Sequence, residues 1–291
     1  LEYGIVLGCP RSGTTFLMRV LNTVPDAACV SGIIFPAGMS QIVRQPLPPP
    51  IREALVIEFE QSLLQYLHSG LFNARAPALQ KCYAARTGLR GLRQALRAER
   101  HVNRILFKEP FLSFAPAFVR EALPEARIIH IYRDGRDCAD SLVRTYDVLT
   151  DEKLTNLRST EMRLGRKIDH RYVPWWVEEG HEEAFLEATP YVRAIWMWKV
   201  MVRGCHDFYA RPEVASSGQV LFLRYEDLMR DPLAYGQIVA DHLGIAINNT
   251  YRKQLKRAHT RSIGIHKNRT AEEIQAAEHC AGDELRLYGY L

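Results

Sequence analysis

Apolar and polar positions along the chain follow patterns that predict strands alternating with helices. Gly4 to Gly8 is a short apolar run that predicts a buried strand, and from Thr14 apolar residues recur every three or four positions until Pro25 ends a helix. Further strands are predicted at 105–107, 126–132 and 220–224, and further helices at 55–67, 86–100, 115–123, 137–146 and 191–209. The proline-rich stretch 36–50 predicts a loop, and the chain after residue 224 is predicted to be helical apart from a loop at 262–269.

This order of elements indicates an α/β fold. Strands separated by helices form a parallel sheet that is covered by helices on both faces. A length of 291 residues allows about one or two domains. We predict a single domain over 1–291, with less regular insertions at about 36–102 and 149–190. The second insertion holds an aromatic cluster of Tyr172, Trp175 and Trp176, which is a candidate ligand pocket.

Composition narrows the classes of function. Apolar residues make up 47% of the chain and charged residues 24%, which excludes general disorder. The 38 Lys and Arg residues exceed the 33 Asp and Glu residues, so the net charge is +5, without any block of five like charges. We therefore expect an anionic ligand and no nucleic acid partner. No apolar run reaches the ~18 residues that cross a bilayer, so we expect no membrane span.

The cysteines and the first residues bear on cellular location. Six cysteines are scattered without a Cys-x-x-Cys pair or a zinc-binding spacing, so we expect reduced thiols and no metal site. The start of the chain has neither the basic region nor the long apolar core of a signal peptide. We expect a cytoplasmic protein and leave open both an upstream signal or anchor and the oligomeric state.

The segment from Gly8 to Thr15 has the glycine spacing of a phosphate-binding P-loop, G-x-x-x-x-G-K-[ST], between a predicted strand and a predicted helix. Thr14 stands where that motif has Lys, and Arg11 supplies a cation from inside the loop. Backbone N–H groups in such a turn, together with the helix N-terminus, bind anions. The structural alternative is a helix capped by Ser12 or Thr14 after a glycine turn. A loop without Lys favours an anion other than a nucleoside triphosphate.

Two motifs together resemble those of sulfotransferases that use 3′-phosphoadenosine 5′-phosphosulfate (PAPS). The segment 10–17 resembles their 5′-phosphosulfate loop, and Arg133 precedes Ser141 by eight residues, as in their second signature. Arg-Asp-Gly-Arg at 133–136 and Lys-Glu-Pro-Phe at 108–111 are most similar to the tyrosylprotein branch and its bacterial relatives. The resemblance covers the whole chain but is weak at 41–102 and 149–190. It implies a three-layer P-loop-like fold and a PAPS-dependent transferase.

The resemblance also implies which residues bind the donor. Those of the two motifs are Pro10, Arg11, Ser12, Gly13, Thr14, Thr15, Arg133 and Ser141. Arg133 can hold the 3′-phosphate through parallel charge-assisted hydrogen bonds, and Ser141 adds a hydroxyl donor. Lys267 and Arg269 match a loop that closes over the same phosphate. The alternative for Arg133 is an ion pair with Asp134 or Asp137.

Lys108 and Arg11 are the expected catalytic cations, because negative charge grows on the bridging oxygen as the sulfuryl group leaves. The alternative for Lys108 is a surface pair with Glu109. The acceptor hydroxyl needs a base, yet Ser31 and Gly32 stand where relatives carry a Glu. The candidate replacements are Glu109, His266, His170 and His181. We expect the acceptor to be a small molecule, glycan or peptide whose hydroxyl is that of a phenol, a sugar or a natural product.

Two other functions stay open, and some features are interpreted as structural. A P-loop kinase or NTPase would bind ATP with Mg²⁺, and a non-catalytic relative would bind nucleotides or polyanions without transfer. We interpret the segment 225–228 as structural and His130 as a hydrogen-bonded interior residue. Trp196 and Trp198 are expected in the core.

Overall fold

The main sheet of the protein has five parallel strands. The structure is a computed structural model that describes residues 1–31, 38–67, 102–156 and 165–291. The strands of this sheet are β1 (Glu2–Leu7), β2 (Ala27–Ser31), β3 (Arg104–Lys108), β4 (Arg127–Tyr132) and β7 (Val220–Arg224). They lie in the order β2-β3-β1-β4-β7. A separate antiparallel hairpin pairs β5 (Gly165–Ile168) with β6 (Arg171–Pro174). The predicted α/β fold with a central parallel sheet is confirmed.

Helices follow most of the strands. The described α-helices are α1 (Thr14–Leu21), α2 (Met39–Arg44), α3 (Pro49–Leu67), α4 (Pro116–Ala122), α5 (Gly135–Tyr146), α6 (Asp151–Thr155), α7 (Glu182–Glu187), α8 (Pro190–Tyr209), α9 (Pro212–Ala215), α10 (Tyr225–Arg230), α11 (Pro232–Leu243), α12 (Asn249–Leu255) and α13 (Ala271–Leu287). Two 3₁₀ helices span Pro110–Phe114 and Ile265–Asn268.

The loop predicted at 36–50 is wrong in part, because α2 and the start of α3 lie there. The helix α2 has only six residues and no side-chain cap at its N-terminus. A tertiary contact holds it instead, since the Ser40 hydroxyl donates a hydrogen bond to the Phe111 carbonyl at 2.9 Å. The predicted helix at 86–100 lies outside the described residues.

Alternation along the strands divides the core between the two faces of the sheet. Ile5, Leu7 and Phe107 pack on one face against α3 and α4. Val6 and Leu106 point to the other face and pack against α1 and α11. Successive side chains of a strand point to opposite faces. Because both faces are covered, the strands appear in the sequence as continuous apolar runs.

A third cluster of buried residues joins α5, α8 and α13 to the hairpin. Trp196 and Trp198 belong to it, as expected. His130 is fully buried near this cluster, between the rings of Phe222 and Tyr288. Neither ring nitrogen of His130 has a hydrogen-bond partner among the described residues, so the expected hydrogen bond is not found there. Burial, followed by the nearby His206, lowers the pKa of His130 to about 3, so the ring is neutral near pH 7.

Two further findings concern membranes and thiols. None of the helices in the described ranges is long and apolar enough to span a bilayer. The cysteines at 9, 138, 205 and 280 are free thiols. Cys82 lies outside the described residues.

Candidate functional site

Several of the predicted site residues lie at the carboxyl edge of the main sheet. Gly8 follows β1, Lys108 ends β3, Arg133 follows β4 and Tyr225 follows β7. In parallel α/β sheets, ligands bind at this edge, where the strand order reverses beside the first strand. A cleft of about 880 Å³ opens there and is lined by residues from each of these segments.

The loop before α1 has a backbone conformation that requires glycine at two positions. Gly8 has φ +149° and Gly13 has φ +98°. A Cβ on Gly8 would lie 2.2 Å from the Ile131 carbonyl oxygen, and one on Gly13 would lie 2.4 Å from the Tyr225 ring. Glycine is therefore required at both positions.

Ser12 and Thr14 do not cap the helix. The buried Ser12 hydroxyl donates to the Cys9 carbonyl at 2.7 Å, which braces the loop from inside. The N-cap of α1 is Gly13, which makes no side-chain capping hydrogen bond. The capping alternative is therefore wrong, and the first N–H groups of the helix remain at the cleft to bind an anion.

Arg11 joins the loop to α5. Its backbone is also in the left-handed region, with φ +73°. The Arg11 Nε donates to the Ser141 hydroxyl at 2.9 Å, and its guanidinium lies 5.5 Å from the centroid of the Tyr146 ring. Two residues that the sequence separates by 130 positions thus share one wall of the cleft.

Arg133 lines the cleft and is only 3% exposed. Its Nη1 donates to the Arg11 carbonyl at 3.0 Å and its Nη2 to the Ser262 carbonyl. The expected alternative, an ion pair with Asp137, is present at 3.5 Å. Even so, the Arg133 Nε has no hydrogen-bond partner in the structure as described. A buried N–H without a partner is rare and calls for a ligand or water.

Tyr225, which the sequence suggested to be structural, also lines the cleft. The Arg133 guanidinium lies 4.8 Å from the centroid of the Tyr225 ring. The Tyr225 hydroxyl shares a hydrogen bond of 2.7 Å with the Ser262 hydroxyl. The next residue, Glu226, is structural as interpreted, because it is buried and accepts from the Asp134 N–H at 3.1 Å.

Asp137 binds the C-terminal loop (residues 262–269) through several hydrogen bonds. It accepts hydrogen bonds from the Gly264 N–H at 2.7 Å, the His266 N–H at 3.1 Å and the His266 Nδ1 at 2.6 Å. Burial alone would raise the pKa of Asp137, but these hydrogen bonds and the Arg133 charge outweigh burial and lower it. His266 is therefore turned toward Asp137 and does not line the cleft.

The cations expected from the C-terminal loop lie elsewhere. Lys267 is exposed, and the Arg269 Nε donates to the Asp140 carboxylate at 2.7 Å. Neither residue lines the cleft, where the same part of the chain places Arg257, His259 and Ser262 instead. The sequence holds a sign that this part of the chain contributes to a cationic site, since residues 242–271 contain no Asp or Glu.

Lys108 and Glu109 line the cleft side by side. Burial lowers the pKa of Lys108, and the neighbouring Glu109 charge offsets part of this effect. Glu109 is 6% exposed, and its Oε1 accepts from the Phe111 N–H at 3.2 Å at the start of a 3₁₀ helix. The other candidate bases lie apart from the cleft, because His170 is exposed in the β5–β6 turn and His181 contacts the ring of Trp196.

The aromatic cluster forms a different cavity. Trp175 and Trp176 line a second space of about 510 Å³ together with Arg44 and Lys199. The Arg44 guanidinium lies 5.6 Å from the centroid of the Trp175 ring. This cluster is therefore not part of the cleft at the carboxyl edge of the sheet.

The cleft is strongly cationic. Its described lining contains six basic side chains, namely Arg11, Arg19, Lys108, Arg133, Lys153 and Arg257, and a single carboxylate, that of Glu109. Within the described part of the chain, no cluster of His, Cys, Asp and Glu could hold a metal ion. The cleft is thus suited to a ligand with several negative charges that is held by Arg, Lys and backbone N–H groups.

Comparisons with known proteins agree with this geometry. A model of the sulfotransferase family matches residues 5–187, more than half of the chain. The sulfotransferase domain of the Synechococcus PCC 7002 olefin synthase shares the fold, with a TM-score of 0.51 and 16% identity over 96% of this chain and 94% of that domain. A sulfotransferase from Mycobacterium avium gives a TM-score of 0.46 and 14% identity over 98% of this chain and 76% of its own. No match to the chain is found among curated proteins.

Proposed function

The chain belongs to the sulfotransferase family, and we propose that it transfers a sulfuryl group from PAPS to the hydroxyl of an acceptor. In this step the bond between sulfur and the 5′-phosphate oxygen breaks as the acceptor oxygen bonds to sulfur. The acceptor proton passes to a base, and adenosine 3′,5′-bisphosphate (PAP) leaves. The family supports sulfuryl transfer in general, and the residues of the cleft support this donor.

Arg133 carries the proposal. A buried guanidinium with an unpartnered Nε suits a phosphate group, since Arg binds phosphate through several charge-assisted hydrogen bonds. A nucleotide that also has a 5′-phosphosulfate would engage the loop from Pro10 to Thr15 and the first N–H groups of α1. Arg133 and Ser141 would then hold the 3′-phosphate. Lys267 and Arg269 are left out of this set because they lie outside the cleft.

The residues beside the sulfuryl position have distinct proposed roles. Arg11 holds the sulfuryl oxygens, and Lys108 donates to the bridging oxygen, where charge develops. A lowered pKa makes the Lys108 ammonium a better proton donor to that oxygen. Glu109 takes the acceptor proton, because it is the single carboxylate in the described lining of the cleft. Of the two positions where a Glu was expected, Ser31 ends β2 and Gly32 lies outside the described residues.

Ligand-dependent melting followed by a transfer assay tests the proposal. The melting temperature is measured with PAP, with adenosine 5′-monophosphate (AMP) and with ATP plus Mg²⁺, at equal concentrations. PAP should give by far the largest shift, because it alone carries the 3′-phosphate. Equal shifts for PAP and AMP would overturn the choice of donor, and a larger shift for ATP with Mg²⁺ would support a kinase or NTPase. Transfer of ³⁵S from PAPS to a panel of hydroxyl compounds then separates an enzyme from a binding protein.

A further inference from the structure

The cleft has two unlike halves. One half is polar and reaches from Arg133 to the C-terminal loop, where Tyr225, Arg257 and Ser262 line it. The other half, which is defined by the side chains that line it, is apolar. Its lining side chains are those of Phe111, Leu142, Val148, Leu149, Leu154 and Met197. These six belong to or pack on the core cluster of α5 and α8, whereas Tyr225 belongs to the cluster that includes α1.

The cations near the apolar half are already bound within the protein. The Lys153 Nζ donates to the Tyr146 carbonyl at 2.9 Å and to the Asp147 carbonyl, and it lies 3.6 Å from the Asp147 carboxylate. It therefore caps the C-terminal end of α5, where helices attract cations. Arg11 is held on Ser141 and belongs to the phosphate loop. In the described lining, the apolar half thus offers no unpaired cation to an anionic acceptor.

One of the six apolar residues that line this half, here called the apolar wall, has an unusual backbone conformation. Leu149 is 2% exposed and has φ +60°, a conformation that a residue with a branched side chain rarely adopts. The buried Arg193 fixes it, because its Nη1 donates to the Leu149 carbonyl at 2.8 Å and its Nε to the Phe185 carbonyl at 2.9 Å. Such conformations persist only where the surrounding structure holds them, and they cluster at ligand sites. The position of Leu149 is thus set by Arg193.

From these observations we propose that the acceptor is an uncharged aromatic or apolar alcohol whose body lies against this wall. This inference rests on the proposed function. The acceptor hydroxyl meets Lys108 and Glu109, which line the same cleft, and Glu109 comes two residues before Phe111 of the wall. An apolar body replaces water on Phe111 and Val148, the half-buried members of the wall, and gains the free energy of apolar burial. A sugar would lose hydrogen bonds to water that six apolar side chains cannot replace.

Calorimetry on the whole chain tests the acceptor class directly. 2-Naphthol and N-acetylglucosamine are titrated into the free protein and into the protein saturated with PAP, which forms a dead-end complex without transfer. The expected result is that 2-naphthol binds at least tenfold more tightly than the sugar in both titrations. Equal or tighter binding of the sugar, or no binding of 2-naphthol, would overturn the inference. Failure of the proposed function is seen separately, as PAP binding no more tightly than AMP.

Matched variants locate the acceptor in the apolar half. Val148→Thr adds a hydroxyl to the wall at almost constant size, and Val200→Thr makes the same change in the second cavity, where Val200 is also half-buried. Val148→Thr should weaken 2-naphthol binding several-fold, and Phe111→Ala should weaken it about tenfold, with the Kd of PAP unchanged. Val200→Thr should leave both affinities unchanged. If neither wall variant changes 2-naphthol binding, or if Val200→Thr weakens it as much as Val148→Thr, the acceptor does not lie against this wall.

Discussion

Asp137→Asn should loosen the C-terminal loop and weaken donor binding together. The Asp137 carboxylate is fully buried and accepts three hydrogen bonds from Gly264 and His266, besides its contact with Arg133. Hydrogen bonds to a charged group contribute about 1.5–3 kcal/mol each. Removing one partner of a buried ion pair costs about 3–5 kcal/mol, because the other charge stays buried. The amide keeps the size of the side chain but offers N–H where N–H donors already point. We therefore expect a loss of about 3 kcal/mol in the free energy of unfolding.

Urea unfolding at pH 7, with the Kd of PAP from calorimetry, measures both effects. The control is Asp283→Asn, because Asp283 is 83% exposed and its pair with Arg286 is on the surface. Exposed pairs contribute about 0–1 kcal/mol, so the control should change stability little and PAP binding not at all. A loss below 1 kcal/mol for Asp137→Asn with unchanged PAP binding would refute the assigned role of Asp137.

The pH dependence gives a second readout of the same residue. The folded pKa of Asp137 lies below its unfolded value of about 3.9. Its contribution is therefore fully present above about pH 4 and is lost as the pH falls through the folded pKa. The difference in stability between wild type and Asp137→Asn should shrink as the pH is lowered from 5 toward 3. A difference that stays constant over this range would show that the charge of Asp137 is not responsible.

Three further predictions concern the loop, the catalytic cation and the basic segment. Gly13→Ala should lower the melting temperature and abolish PAP binding, because the new Cβ would overlap the ring of the tyrosine at the start of α10. The control Gly218→Ala, also at positive φ but in open space, should lower the free energy of unfolding by only about 1 kcal/mol and leave PAP binding intact. Lys108→Gln should lower kcat about a hundredfold in the ³⁵S assay with the Kd of PAP within threefold of wild type, and an unchanged kcat would exclude the proposed role. Arg252 and Lys253 are exposed in the stretch 242–271 that lacks Asp and Glu. Changing both to Gln should slow PAP association several-fold at low salt in stopped-flow measurements and leave dissociation unchanged, whereas an effect that is independent of salt would contradict electrostatic steering.

The parts of the fold that local patterns govern could be predicted from the sequence. The strand before the phosphate loop, and the strand and helix around Arg133, lie within two residues of the expected bounds, because apolar runs and helical periodicity are local signals. The helix after the phosphate loop begins at Thr14 as expected but ends at Leu21, before the predicted end next to Pro25. The helix α2 was missed because it is short, uncapped and held by the contact of Ser40 with the Phe111 carbonyl. Patterns within one segment carry no information about such a contact.

Which residues line the cleft could be predicted only where they lie on these local elements. Arg11, Lys108 and Arg133 meet in one cleft because each lies at the carboxyl end of a neighbouring parallel strand or just beyond it. His266 and Arg269 do not reach the cleft, because carboxylates of α5 that are 129 residues away in the chain bind them. Spacing motifs identify residues that face a ligand but not the long-range partners that turn a side chain away.

The ratio of the dissociation constants of AMP and PAP, measured by calorimetry for wild type and Arg133→Lys, tests the central claim most directly. The account predicts that wild type prefers PAP by about a hundredfold, since two charge-assisted hydrogen bonds to the 3′-phosphate contribute about 3 kcal/mol together. Arg133→Lys cannot make the parallel pair of hydrogen bonds, so its preference should fall to about tenfold or less. A wild-type protein that binds AMP and PAP equally, or a preference for PAP that Arg133→Lys leaves unchanged, would contradict the account.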